Sequence, residues 1–197
     1  MIRSFALADV ITLGNGACGA GAILALMQYA ASTDAKWLWC AIVLSPVALL
    51  LDFADGRVAR WRRRSSPLGA DLDSLADVIS FGMAPAAIGF ATGLRNELDV
   101  AVLLYFVGCG ISRLARFNVT ADALSDDSGK VKYFEGTPIP TSVVIVLLIG
   151  VLVYRGQIGA WLPFGTWALG SWQLHPFSLL YLVSGSLMIS TVRIPKI

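Results

Sequence analysis

Long apolar runs recur along this chain and constrain its fold more than any other feature. They fall at about residues 13–31, 36–56, 74–94, 98–118, 138–154 and 176–192. Several approach 20 residues, the length a helix needs to cross about 30 Å of hydrocarbon at roughly 1.5 Å per residue. A soluble domain carries about a quarter charged residues, whereas here 14% of the 197 residues are charged and 56% are hydrophobic. The pattern predicts an all-α integral membrane protein of six transmembrane helices, a multi-pass protein of the cell membrane. No linker, low-complexity tract or clear repeat divides it, so a single domain over residues 1–197 is expected, with the bilayer rather than a nucleic acid as its partner.

The N-terminal string MIRSFALADVITLGNG has one arginine and an apolar run broken by Asp9. It makes a poor signal peptide and reads as a short amphipathic segment at the membrane surface. With both termini in the cytoplasm, the inside segments hold Arg3, Arg57, Arg60, Arg62, Arg63, Arg64, Arg113, Arg116, Lys130, Lys132, Arg193 and Lys196. The outside segments hold only Lys36, Arg95 and Arg155, and this asymmetry sets the orientation. Trp37, Trp39, Trp161, Trp167 and Trp172 fall at the expected outer boundary. Cys18, Cys40 and Cys109 match neither a zinc site nor a disulfide frame and read as small hydrophobes in helix packing.

Against this apolar background, residues 51–80 gather five aspartates and five arginines. Asp52 and Asp55 are three apart at the end of the second run, so they share a helix face. Asp73 and Asp77, four apart at the start of the third, share one too. A turn between the two helices brings four carboxylates together near the membrane surface, where they repel one another and are costly to desolvate. Carboxylate oxygens suit hard divalent cations, and a two-metal site is a plausible solution. Asp71 points to the other side of its helix and reads as an interfacial charge. Gly56 and Ala59 leave space beside the acids, Gly69 permits a close approach, and Arg60 can offer a fork of donors to a phosphate. Such a site suits phosphoryl or phosphodiester transfer. The lone histidine, His175, is expected on the far side of the membrane, so an aspartate must act as base, and Asp77 lies deepest. Close helix packing explains most of the glycines of LGNGACGAG, whereas Asn15 among them can hold a headgroup or a nucleotide edge.

The string D-F-A-D-G-R-V-A-R, eight residues, then G-A-D-L-D-S-L-A-D resembles the signature of the CDP-alcohol phosphatidyltransferase family at every fixed position. The resemblance implies that Asp52, Asp55, Asp73 and Asp77 hold two divalent cations, Mg2+ or Mn2+ with Ca2+ possible. It implies that Asp77 also deprotonates the acceptor alcohol, that Gly56, Ala59 and Gly69 line the nucleotide pocket, and that Arg60 binds phosphate. Family members transfer a phosphatidyl-type group from a CDP-linked lipid to an alcohol and release CMP. They are six-helix membrane proteins, commonly homodimers, with a site open to the cytoplasm. Many carry a Pro-Asn pair at the first helix; here it is Gly14-Asn15, and Asn15 is placed with the CDP-lipid contacts.

Two further strings, SRLARFNV and YFEGTPIPTS, are similar to those of the phosphatidylserine synthase branch. That likeness implies CDP-diacylglycerol and L-serine as substrates, with Arg113 and Arg116 for the serine carboxylate, Glu135 for its ammonium, and Thr137 as a further serine-binding residue. Another alcohol, such as glycerol 3-phosphate or an inositol phosphate, is the nearest alternative. A non-catalytic, ion-coupled membrane protein is a distant one.

Overall fold

A computed structural model describes residues 7–62, 67–124 and 133–195 of the chain. The order of elements begins with α1 (Leu7–Ser32) and α2 (Ala35–Arg62). A composite third helix follows, made of α3 (Pro67–Asp77), a π-helical segment (Val78–Met83) and α4 (Ala84–Thr92). Next come α5 (Glu97–Leu124), β1 (Tyr133–Glu135), α6 (Ser142–Tyr154), β2 (Trp167–Leu169), β3 (Trp172–Leu174), α7 (Leu179–Ile189) and β4 (Arg193–Pro195). Two small antiparallel pairs complete the fold, β1 with β4 and β2 with β3.

The sequence expectation of six spans is corrected to four. Among the described residues, four helices are long and apolar enough to cross a membrane: Ala8–Ser32, Ala35–Val58, Gly69–Thr92 and Glu97–Val119. The last two apolar runs give only 13 residues in α6 and 11 in α7, each preceded by a three-residue 3-10 turn. At about 1.5 Å per α-helical residue and 2 Å per 3-10 residue, they extend roughly 25 and 22 Å, short of a 30 Å core. Pro138, Pro140 and Pro176 account for part of the shortfall, because proline lacks the N–H of a regular helix and restricts the residue before it. The amphipathic N-terminal segment is not separate where it is described. From Ala8 onward it is the first turn of the α1 span, and residues 1–6 lie outside the described residues.

The core is continuous and apolar. Phe81, Ala84 and Ile88 of the composite helix pack with Phe106, Val146, Ile149 and Tyr181, all essentially inaccessible. Phe106 meets Tyr181 edge-on, with centroids 5.2 Å apart. The Tyr181 hydroxyl donates to the Pro85 carbonyl at 2.7 Å, so this buried hydroxyl finds a partner on the composite helix. The outward faces remain apolar: Leu24, Met27, Leu50, Leu104 and Val144 are all more than half exposed, as a lipid-facing surface requires.

Close packing of α1 on the composite helix sets the site. A Cβ on Gly19 would lie 2.6 Å from the Ser80 Cα, and one on Gly16 would lie 3.4 Å from the Ala76 Cβ. Glycine here lets two backbones approach more closely than any side chain permits. The π segment begins directly after Asp77, and the Ala84 amide reaches back to the Ile79 carbonyl. Such insertions re-aim the helix face that follows. The Ser80 hydroxyl donates to the Asn15 carbonyl at 2.8 Å, which pins this segment to α1.

At the opposite end of the bundle, Asp99 holds the connection between α6 and α7. It is inaccessible, and its carboxylate accepts from the His175 amide at 2.8 Å and contacts His175 Nδ1 at 2.7 Å. Thr166 meets the other ring nitrogen at 3.2 Å. Residues 156–192 contain no Asp, Glu, Lys or Arg, and Trp161, Phe164, Trp167 and Trp172 are exposed.

Gly19→Ala is expected to destabilise the protein by about 1–3 kcal/mol, the usual cost of overpacking where backbone cannot yield. Thermal unfolding of the purified variant in detergent checks this, with Gly108→Ala, where a Cβ meets nothing within 4 Å, as the comparison.

Candidate active site

The helix α2 ends and the composite helix begins at the same end of the bundle, and that reversal gathers the acids. Asp52, Asp55 and Asp73 each offer a carboxylate oxygen within 4.8 Å of the others. Asp55 is buried at 5% exposure, whereas Asp52 and Asp73 are partly open. Three convergent oxygen donors with no histidine or cysteine among them fit a hard divalent cation. Asp77 is buried at 6% exposure and stands outside that group of three, although it feels the charge of Asp52, Asp55 and Asp73. The expected four-carboxylate ligand set is therefore present as three gathered acids and a fourth beside them. Asp71 is exposed, in line with its expected interfacial place.

Helix α1 supplies side-chain hydrogen bonds to these acids, beside a backbone bond to Asp55 from Gly56. Thr12 Oγ1 donates to Asp55 Oδ2 at 2.8 Å, and Asn15 Nδ2 donates to Asp77 Oδ1 at 3.2 Å. The two residues are three apart and so share a helix face, continued by Gly16 and Gly19 at the next helical spacings. Asn15 is wholly buried, yet its Oδ1 has no hydrogen-bond partner. A buried polar atom without a partner costs free energy, which makes Asn15 Oδ1 a free acceptor beside Asp77. Sequence reasoning placed Asn15 among the lipid-binding residues but missed its bond to Asp77. It missed Thr12 altogether, although the i, i+3, i+4, i+7 spacing of Thr12, Asn15, Gly16 and Gly19 was legible.

The small and basic residues divide. A Cβ on Gly56 would meet nothing within 4 Å, so open space adjoins Asp55 as expected. Gly69 lies in the first turn of α3. Ala59 and Arg60 lie on the last turns of α2, but their side chains fall outside the described residues, as does that of Glu135 in β1. Arg57 stacks on Phe53, its guanidinium 4.3 Å from the centre of that ring.

Arg113 and Thr137 also have buried atoms without partners. Arg113 stands on α5 within electrostatic reach of Asp77, and its Nε makes no hydrogen bond. Gly136, at φ +75°, turns the chain so that the Thr137 amide donates to the Leu187 carbonyl at 3.1 Å. Thr137 Oγ1 is buried and unpaired. Arg116 reaches the same end of α7, with Nη2 3.4 Å from the Ser190 carbonyl. The pair Ser74 and Asn118, not anticipated, ties α3 to α5 through bonds of 3.0 and 3.3 Å and fixes the acid helix against the arginine helix. His175 lies at the other end of the bundle with Asn96 and Thr166, remote from the acids.

Comparison with known proteins adds an independent line. The family model described as CDP-alcohol phosphatidyltransferase matches residues 5–172. A protein of Saccharomyces cerevisiae named CDP-diacylglycerol–serine O-phosphatidyltransferase is 44% identical across 100% of this chain and 72% of its own length. Proteins of the same name from Mycobacterium leprae and Bacillus subtilis are 41% and 30% identical, over 79% and 71% of this chain. The aligned region spans 72% of the Bacillus protein but only 48% of the mycobacterial one, about half its length. The gathered aspartates, the four long apolar helices and the match over most of the sequence agree: the chain belongs to the CDP-alcohol phosphatidyltransferase family.

Proposed function

We propose that this protein transfers the phosphatidyl group of CDP-diacylglycerol to the hydroxyl of L-serine, giving phosphatidylserine and CMP. The observation that carries the reading is the cluster of Asp52, Asp55 and Asp73 within 4.8 Å, with Arg113, its Nε unpaired, within electrostatic reach of Asp77 beside it. The names of the relatives from yeast, mycobacteria and Bacillus support the serine acceptor. Two divalent cations, Mg2+ or Mn2+, would hold the pyrophosphate and stabilise the leaving phosphate when bound.

The chain's own residues do the rest. Asp52, Asp55 and Asp73 bind the cations, while Asn15 holds the Asp77 carboxylate in one orientation. Asp77 accepts the serine hydroxyl proton as the serine oxygen forms its bond to the lipid-side phosphorus. The bond from that phosphorus to the oxygen of CMP breaks in the same displacement, and CMP leaves with the electron pair. Arg60 supports the phosphate, and Gly56, Ala59 and Gly69 leave room for the nucleotide. Arg113 and Arg116 meet the serine carboxylate, Glu135 pairs with its ammonium, and Thr137 is a further serine contact. Arg57, Arg113 and Arg116 stand at this end of the bundle and Lys36, Arg95 and Arg155 at the other, which supports a site facing the cytoplasm. The reading carries with it the homodimer common in the family.

CMP release from CDP-diacylglycerol tests the acceptor directly. Serine is expected to stimulate it in the presence of Mn2+ or Mg2+; stimulation by glycerol 3-phosphate or an inositol phosphate with none by serine rejects the assignment. Arg113→Ala is expected to raise the KM for serine by roughly 10- to 100-fold, as loss of a charge-assisted bond should. The KM for CDP-diacylglycerol should move much less. In Asp77→Asn the amide keeps the shape but cannot take the proton, so kcat should fall by about 100- to 10,000-fold. Retention of configuration at phosphorus would contradict the single displacement.

A further inference from the structure

The Thr12 hydroxyl lies one layer behind the acids and carries an inference that rests on the cation reading above. Thr12 is 4% exposed, and its Oγ1 lies 2.8 Å from Asp55 Oδ2 and 3.0 Å from the Ala8 carbonyl oxygen. A hydroxyl has one hydrogen, so it donates to one of these acceptors at a time. The bond to Ala8 is the local back-bond of a threonine inside a helix. The bond to Asp55 crosses from α1 to α2, and a charged acceptor makes the stronger partner.

Asp55 is the most buried of the three gathered acids. Among the described residues, Thr12 is the only side chain that donates a hydrogen bond to any of them. A carboxylate on a helix end has two soft torsions and samples several orientations unless something holds it. We propose that Thr12 is a positioning residue: its hydroxyl fixes the Asp55 carboxylate so that the cation meets a preformed set of oxygens. Groups that orient a ligand in this way typically contribute about 10- to 100-fold in metal affinity. Asn15 does the corresponding work for Asp77 one helical turn away, so α1 orients one acid on each of the two helices that carry them.

Direct Mn2+ binding tests this, with free Mn2+ read by electron paramagnetic resonance on the full chain in detergent, without lipid or serine. Thr12→Val keeps the volume and removes the hydroxyl, and it should weaken Mn2+ binding by roughly 10- to 100-fold. Thr12→Ser should bind as the unmodified protein does, and excess Mn2+ should restore kcat to Thr12→Val. Asp55→Asn should lose most of the binding. If Thr12→Val binds Mn2+ normally while Asp55→Asn does not, the role of Thr12 is overturned and the cation site stands. Weak binding by both Thr12→Val and Thr12→Ser overturns it as well, because methyl packing rather than the hydroxyl would then matter. Normal binding by Asp55→Asn overturns the cation reading itself. Should valine disturb folding, Thr12→Ala against Thr12→Ser poses the same question.

Discussion

The carboxylate end of this protein depends on the backbone-close contact between α1 and the composite third helix. Two ionised carboxylates 4.8 Å apart repel by on the order of 3 kcal/mol at an effective dielectric of about 20. Three such groups, with Asp77 beside them, would drive α2 and α3 apart unless something else held the helices. Gly16 and Gly19 supply the hold by letting α1 seat against Ala76 and Ser80. The same seating brings Thr12 and Asn15 within hydrogen-bond distance of Asp55 and Asp77. Packing and electrostatics are thus one problem here: the glycines allow the approach, and the approach delivers the donors that fix the acids.

The two ends of the bundle use polar groups in opposite ways. At the far end, Asp99, His175, Asn96 and Thr166 satisfy one another across the start of α5 and the α6–α7 connection. Buried polar groups with full partners specify one arrangement and stay there. At the carboxylate end, Asn15 Oδ1, Arg113 Nε and Thr137 Oγ1 are buried and unpaired. Ser45 Oγ, midway along α2, and Ser142 Oγ, at the start of α6, are buried and unpaired as well, so unsatisfied atoms are not confined to the acids, although three of the five described ones gather there. The π segment after Asp77 belongs to the same logic, since it re-aims the helix between the acid-bearing turn and the core around Phe81.

Much of this was legible in the residues. Helical spacing alone puts Asp52 with Asp55 and Asp73 with Asp77, and the apolar runs locate the four long spans. The signature string carries the family on its own residues, Asp52 to Asp77. What spacing could not carry was the third dimension of the site. It groups Asp77 with Asp73 on one face, but how far Asp77 stands from Asp52 and Asp55 depends on how α3 sits against α2. The Thr12 and Asn15 bonds join residues 43 and 62 positions apart, and no local pattern reports a contact of that range. The π segment was equally hidden, because Pro85 signals a disturbance without saying which one.

The span count failed for a physical reason that bears on the site. Hydropathy measures how apolar a run is, and 138–154 and 176–192 are apolar enough; it does not measure how much of a run is helix. Ile139 packs beside Gly82 and Gly110, so α6 starts level with the π segment, about five residues beyond Asp77. The shortened α7 ends at Ile189, and its last turn receives Thr137 and Arg116 rather than continuing alongside α5. Two full-length helices in these places would press apolar side chains toward Asp77 and Arg113. Short helices joined to β1 and β4 instead leave that level to backbone amides, a threonine and two arginines. A reaction that joins a charged, water-soluble acceptor to a lipid needs polar chain at membrane depth, and a membrane tolerates irregular backbone where it is packed within protein. The missing turns of α6 and α7 are therefore part of how the acids, the arginines and Thr137 come to share one end of the bundle.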